Sequence, residues 1–160
     1  MIVVSDTSVL SNLAQIDHLD LLHDLYGQII FPIKVLDELK AHRPTMTKLT
    51  GKSWLTSQTI TDSALYKELE ESLDPGEAEA IVLAKELDAE LLLIDERKGR
   101  HIAKAHGLQI VGLLGVLIDA KRMGRVTSLK ALMDRLIHEA SFWISPKLYQ
   151  SVLAEVGEDS

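Results

Sequence analysis

Leu91-Leu92-Leu93-Ile94-Asp95 decides the fold class: four apolar residues in a row that stop on a carboxylate. The run is too short for a helix and has no polar alternate face, so it reads as a strand buried on both sides, as in a parallel sheet. Upstream, Asp74-Pro75-Gly76 is turn chemistry that hands over to a helix from Glu77 to Leu87, with Ala80, Ile81, Ala84 and Leu87 facing inward. Downstream, a basic helix spans Glu96 to His106 and stops at Gly107. A short strand, Leu108 to Val111, and a helix from Leu113 to Met123, closed by Gly124, follow it. Strands alternating with helices of this length predict an α/β chain, a three-layer α/β/α sandwich around a central parallel sheet.

The N-terminal half repeats the alternation. Met1 to Val4 is a short β-branched run ending at Ser5-Asp6-Thr7-Ser8, which predicts a strand and then a helix from about Ser8 to Gln15. Asp17 is expected to cap a second helix carrying Leu19, Leu22, Leu25 and Tyr26, with Gly27 as its stop. A strand over Gln28 to Phe31 leads through Pro32 into a helix from Ile33 to His42. Arg43 to Gly51, which contains Pro44, reads as a loop, Trp54 to Ile60 as an extended segment and Asp62 to Ser72 as a polar helix. Two further helices, Leu129 to Ala140 and Pro146 to Val156, complete the chain. With no internal repeat and no linker, residues 1–160 are expected to form one domain.

Composition narrows the function classes. At 46% hydrophobic and 26% charged residues, the chain can build a core, which excludes intrinsic disorder. The absence of cysteine excludes a disulfide scaffold, an iron–sulfur site and a thiol nucleophile, and is compatible with a reducing compartment. The longest apolar run, Ile110 to Ile118, is well short of the ~18 residues a membrane span needs, and the opening residues lack a basic, apolar leader, so no membrane association and a cytoplasmic location are expected. Seventeen basic against 24 acidic residues, a net charge of −7, argue against a large basic surface. They leave open a nucleic-acid enzyme in which cations offset a local cluster of acids.

In an open parallel sheet, ligands sit beyond the carboxyl ends of the strands. Asp6 and Asp95 both fall at such ends, and neighbouring strands lie ~4.8 Å apart. Two carboxylates ~4 Å apart repel by roughly 4 kcal/mol at an effective dielectric of ~20, a cost removed by a shared cation. Oxygen donors without His or Cys suit Mg²⁺ or Mn²⁺. For either Asp taken alone the plainer reading is a helix N-cap. The chain has neither a phosphate-binding Gly-x-x-x-x-Gly-Lys loop nor a Gly-x-Ser-x-Gly elbow, and Ser8 stands where a strand-end Asp phosphatase needs its second acid.

Four segments together carry a family resemblance: Ile2-Val3-Val4-Ser5-Asp6-Thr7-Ser8; Pro32 to Leu39, ending Asp37-Glu38-Leu39; Asp74-Pro75-Gly76-Glu77-Ala78-Glu79-Ala80-Ile81; and Leu92-Leu93-Ile94-Asp95. They resemble the PIN domain. With the Asp-Pro-Gly-Glu helix start and the segment Phe142-Trp143-Ile144-Ser145-Pro146, the chain looks most like the VapC-like prokaryotic branch. The resemblance implies a metal-dependent endoribonuclease that hydrolyses RNA phosphodiesters at an acidic Mg²⁺ or Mn²⁺ site. It also implies the toxin role of a toxin–antitoxin pair, a small antitoxin protein as partner, and a homodimer.

Carried over by position, the resemblance makes Asp6, Glu38, Glu77 and Asp95 the catalytic and metal-binding acids, with Ser8 and Glu96 as supporting residues. Spacing alone does not choose between Glu77 and Glu79, or between Asp37 and Glu38, because adjacent helical residues diverge by ~100°; the family register favours Glu77 and Glu38. Arg97, Lys98, Arg100 and Lys104 crowd the helix after Asp95 and are the candidate RNA-backbone contacts, the bland alternative being a solvated helix face. A PIN-like module that binds RNA or protein without cutting is the competing functional reading.

Overall fold

The computed structural model describes residues 1–160. Five strands, β1 (Val3–Ser5), β2 (Ile29–Pro32), β3 (Leu55–Gln58), β4 (Leu91–Leu93) and β5 (Ile110–Val111), form one sheet in the order β3-β2-β1-β4-β5, with every pair parallel. Ten helices cover it: α1 (Thr7–Gln15), α2 (Asp20–Tyr26), α3 (Ile33–Lys40), α4 (Arg43–Leu49), α5 (Ser63–Glu70), α6 (Pro75–Glu86), α7 (Arg97–Ala105), α8 (Leu113–Arg122), α9 (Leu129–Glu139) and α10 (Pro146–Glu155). This is the three-layer α/β/α sandwich that the strand and helix alternation predicts.

The pleat of the central strands divides the apolar residues between two cores. Val3 and Leu93 face one side with Leu10, Leu13, Leu113, Leu117 and Met133, from α1, α8 and α9. Val4, Leu92 and Ile94 face the other with Ile81 and Leu83 of α6 and Ala103 of α7. Successive strand residues point to opposite faces, so a strand serving both cores must be apolar throughout, which accounts for the unbroken Leu91 to Ile94 run.

The strand order locates the site. From β1 the chain adds β2 and β3 on one side, then returns to add β4 and β5 on the other, so the order reverses between β1 and β4. Ser5 lies in register with Leu93, which brings the carboxyl ends of these two strands together at the switch point.

Two local expectations are corrected. Arg43 to Leu49 is helical: Pro44 falls in the first turn, where a missing N–H breaks no bond, and His42 Nδ1 accepts from the Thr45 amide at 3.3 Å in place of a usual cap. Asp17 does not cap α2, whose N-cap is Leu19 without a side-chain bond. It ends α1 in a left-handed conformation with φ 59°, and the next amide, His18 N–H, donates to Leu13 O. No helix is long and apolar enough to cross a membrane.

Candidate functional site

Asp6 follows β1 and is 1% exposed. Its two oxygens have separate duties: Oδ1 accepts from the Val9 amide at 2.9 Å, capping α1, and Oδ2 accepts from the Asp95 amide at 3.0 Å, tying β1 to β4 at the switch point. Asp6 therefore caps a helix, as the plainer reading expects, and also joins the two strand ends at the switch point. Burial pushes its carboxyl up to about 7, against the pull of the two amides and with a contribution from the charges of Asp95 and Glu38.

Asp95 follows the β4 strand end and is half-buried. Its Oδ1 accepts from the Leu113 amide at 2.9 Å, at the N-terminus of α8. One carboxylate of the pair thus anchors at α1 and the other at α8, where helix N-termini favour negative charge.

Glu38 projects from the second turn of α3, and its Oε1 accepts from the Thr7 hydroxyl at 2.7 Å. The same oxygen lies against Gly76: a Cβ at that glycine would stand 1.8 Å from Glu38 Oε1 and 3.1 Å from Thr7 Oγ1. The glycine of the Asp-Pro-Gly-Glu start therefore makes room for a carboxylate of another helix. Gly76→Ala is expected to leave folding nearly unchanged, since the displaced group is the mobile end of a side chain. It should lower any activity that needs Glu38 by about 10- to 100-fold, the effect typical of losing a group that orients a metal ligand. Side-by-side thermal unfolding and turnover measurements check this.

Glu77 lies on the first turn of α6 and is 9% exposed. Burial raises its carboxyl to about 8, reinforced by the charges of Glu96, Asp74 and Asp6 and opposed by the Asp74 backbone amide. Gly99 of α7 makes its packing possible, because a Cβ there would lie 3.1 Å from Glu77 Oε2 and 2.9 Å from Ile94. Glu79, also buried, turns the other way: its Oε1 accepts from the Lys34 amide at 2.8 Å, near the start of α3. The fold thus directs Glu77 to the site and Glu79 to a structural cap.

These residues line one cleft of about 300 Å³, formed by Asp6, Thr7, Ser8, Glu38, Asp74, Glu77, Asp95 and Glu96. All four expected acids and both expected supporting residues are present. The carboxylate oxygens close enough to share one ion, all within 4.8 Å of one another, belong to Asp74, Glu77 and Glu96. The sequence alone gives Asp74 and Thr7 no site role. Asp74 reads there as a turn residue; in the fold it occupies the N-cap of α6 without making the side-chain cap bond and lines the cleft.

Beside the cleft, a second depression lined by Arg97, Lys98, Arg100, His101 and Lys104 shares Asp95 and Glu96 with it. The basic face of α7 therefore opens directly onto the acidic site. The Arg100 guanidinium lies against Gly112, where a Cβ would be 2.7 Å from Nη1 and 3.2 Å from Asp95 Oδ1.

The family model DUF3368, described as a PIN domain, matches residues 2–158. This chain belongs to the PIN-domain family. Its fold is similar to that of a PilT N-terminus domain protein from the hyperthermophilic archaeon Sulfolobus solfataricus, with a TM-score of 0.50 and 16% identity over 72% of this chain and 90% of that one. No curated protein matches the sequence. PIN domains are commonly nucleases and typically use a divalent metal. The donor set of this PIN domain fits such an ion: six carboxylates line the cleft, no Lys or Arg side chain does, and two of the acids titrate near neutrality. That is a cluster of oxygen donors with no cationic side chain among them, of the kind a hard cation suits.

Proposed function

We propose that this PIN domain is a metal-dependent endoribonuclease of the VapC-like branch, acting as the toxin of a toxin–antitoxin pair in the cytoplasm. On this reading residues 1–160 form one domain that works as a homodimer, and a small antitoxin protein covers the acidic cleft. The observation that carries the nuclease reading is the juxtaposition at the switch point: a six-carboxylate cleft opening onto a basic helix face.

The roles divide by position. Asp6, Glu38, Glu77 and Asp95 would be the catalytic and metal-binding acids for a Mg²⁺ or Mn²⁺ ion, joined by Asp74 and Glu96, whose carboxylate oxygens lie within 4.8 Å of one another and of that of Glu77. When bound, the ion supplies a water of lowered pKa and positive charge for the leaving oxygen. Asp6 and Asp95 are fixed by backbone amides, and Glu38 is oriented by the Thr7 hydroxyl and given space by Gly76. This pre-organisation holds the carboxylate donor set in one geometry for the cation, as orienting hydrogen bonds do for metal ligands. Ser8 lines the cleft as a further hydroxyl.

Arg97, Lys98, Arg100 and Lys104 hold the RNA backbone through its phosphates. Arg97→Ala is expected to weaken RNA binding about equally for all sequences and to reduce the salt slope by about one counterion. Filter binding at several salt concentrations reads both. An unchanged affinity and slope would remove Arg97 from the substrate path.

The test of the proposal is cleavage of a mixed panel of labelled RNAs by purified protein with Mn²⁺, Mg²⁺ or EDTA. Cutting with either metal and none in EDTA is the expected result. RNA binding without cutting in all three would overturn it in favour of a non-catalytic binding module.

A further inference from the structure

A third depression, of about 670 Å³, adjoins the basic one and shares Asp95, Arg97 and Arg100 with it. Its far wall is apolar, made by Phe142, Trp143, Leu148 and Leu114 of α8. Trp143 is 79% exposed, the most exposed large apolar side chain in the molecule. It is not on a frayed end. The Phe142 amide donates to Leu136 O at 3.0 Å, Ile144 is buried, and Ser145 caps α10 through the Leu148 amide at 3.1 Å. The segment between α9 and α10 is pinned on both sides of the indole and holds it in solvent.

We propose that this groove is a subsite for one unpaired nucleotide of the RNA strand, with its base stacked on Trp143 and its phosphate held by Arg97 and Arg100. The inference rests on the nucleic-acid reading above and adds what it lacks, a place for a base. The groove's two walls match a nucleotide, which has a planar apolar face and an anionic group, and its volume lies in the usual range for small-ligand sites of roughly 300–1,000 Å³. Aromatic stacking tolerates any base, so the subsite selects unpaired RNA over duplex without reading sequence. Asp95 borders the groove and the acidic cleft alike, so a strand seated on Trp143 runs past the two arginines toward the carboxylates.

The test is binding in EDTA, where no metal-dependent cutting occurs, of a fluorescently labelled mixed-sequence single-stranded RNA and of an abasic oligomer of equal length and charge. Wild type is expected to bind the RNA more tightly than the abasic oligomer. Trp143→Ala should weaken RNA binding about tenfold, with little change for the abasic oligomer, and Trp143→Phe should restore most of the loss. Trp54 is 8% exposed and stacked on His23 at 5.2 Å, so quenching of indole emission by the RNA should arise from Trp143 and vanish in Trp143→Phe. Equal RNA affinity of wild type and Trp143→Ala overturns the subsite. So does a dimer-to-monomer change in Trp143→Ala by sedimentation, which would make the groove a subunit contact. Wild type that cuts RNA with Mn²⁺ while Trp143→Ala binds unchanged refutes the subsite alone. Wild type that cuts nothing yet discriminates against the abasic oligomer refutes the nuclease reading alone.

Discussion

Asp95→Asn is expected to abolish the proposed metal-dependent RNA cleavage, by about a thousandfold or more, and to leave the unfolding temperature within a degree or so of wild type. The magnitude follows from losing a charge at a centre where a bound metal would supply several kcal/mol to the transition state, each ~1.4 kcal/mol being tenfold in rate. The silence on stability follows from geometry. Asp95 uses Oδ1 to accept from the Leu113 amide, and an asparagine carbonyl oxygen can take over that bond while its NH₂ faces the cleft. Glu38→Gln is similar, since the Thr7 hydroxyl can still donate to the amide oxygen. Asp6→Asn is different. Both Asp6 oxygens accept backbone amides, so the new NH₂ must face an N–H donor, an unmade buried bond that costs about 1–3 kcal/mol. Its unfolding temperature should move along with its activity. Asp95→Asn that keeps more than a tenth of wild-type turnover contradicts the assignment.

The second large effect is on stability, and it is set by pH. Asp6 and Glu77 have folded-state values of about 7 and about 8, above the ordinary 3.8 and 4.5 that apply to the unfolded chain. A raised acid binds its proton more tightly in the folded state, so its stability contribution is fully present below the unfolded value. It is lost as pH rises through the folded value. The opposite group of acids, Asp17, Asp134, Glu139 and Glu158, all lowered, loses stability only as pH falls below the ordinary carboxylate range. Between pH 5.5 and 8.5 the cleft acids therefore set the trend, and the metal-free protein should melt at progressively lower temperature as pH rises. Mn²⁺ needs the deprotonated carboxylates, so the rise in unfolding temperature that it produces should be larger at pH 8 than at pH 6. Thermal unfolding in EDTA and in Mn²⁺ across this window reads both trends. A metal-free melting temperature that stays flat or climbs would contradict the burial of these two acids.

What the sequence disclosed tracks what local pattern can encode. Asp6 and Asp95 were legible because each terminates an apolar strand, and parallel strands bring their carboxyl ends to one edge. Glu38 and Glu77 were legible only through family resemblance. Whether Glu77 or Glu79 meets the cleft depends on how α6 is rotated against the sheet, and the deciding contact, Glu79 with the Lys34 amide, joins residues 45 apart in sequence. Asp74 is hidden because Asp-Pro-Gly is turn chemistry in its own right, and Thr7 because its contact exists only against Glu38. Gly76 shows the same limit: in sequence it is a turn residue, in space a clearance for another helix's carboxylate. The helix over Arg43 to Leu49 was hidden because His42, which is not among the usual caps, starts it.

The six-carboxylate cleft is proposed to be a divalent-metal centre. The most direct measurement is an anomalous difference map from crystals of the wild-type protein soaked in Mn²⁺. Strong density in the cleft, within coordination distance of Glu77 and of at least two of Asp6, Glu38, Asp74, Asp95 and Glu96, is the predicted result. A cleft without anomalous density at Mn²⁺ concentrations that saturate other surface sites would contradict it.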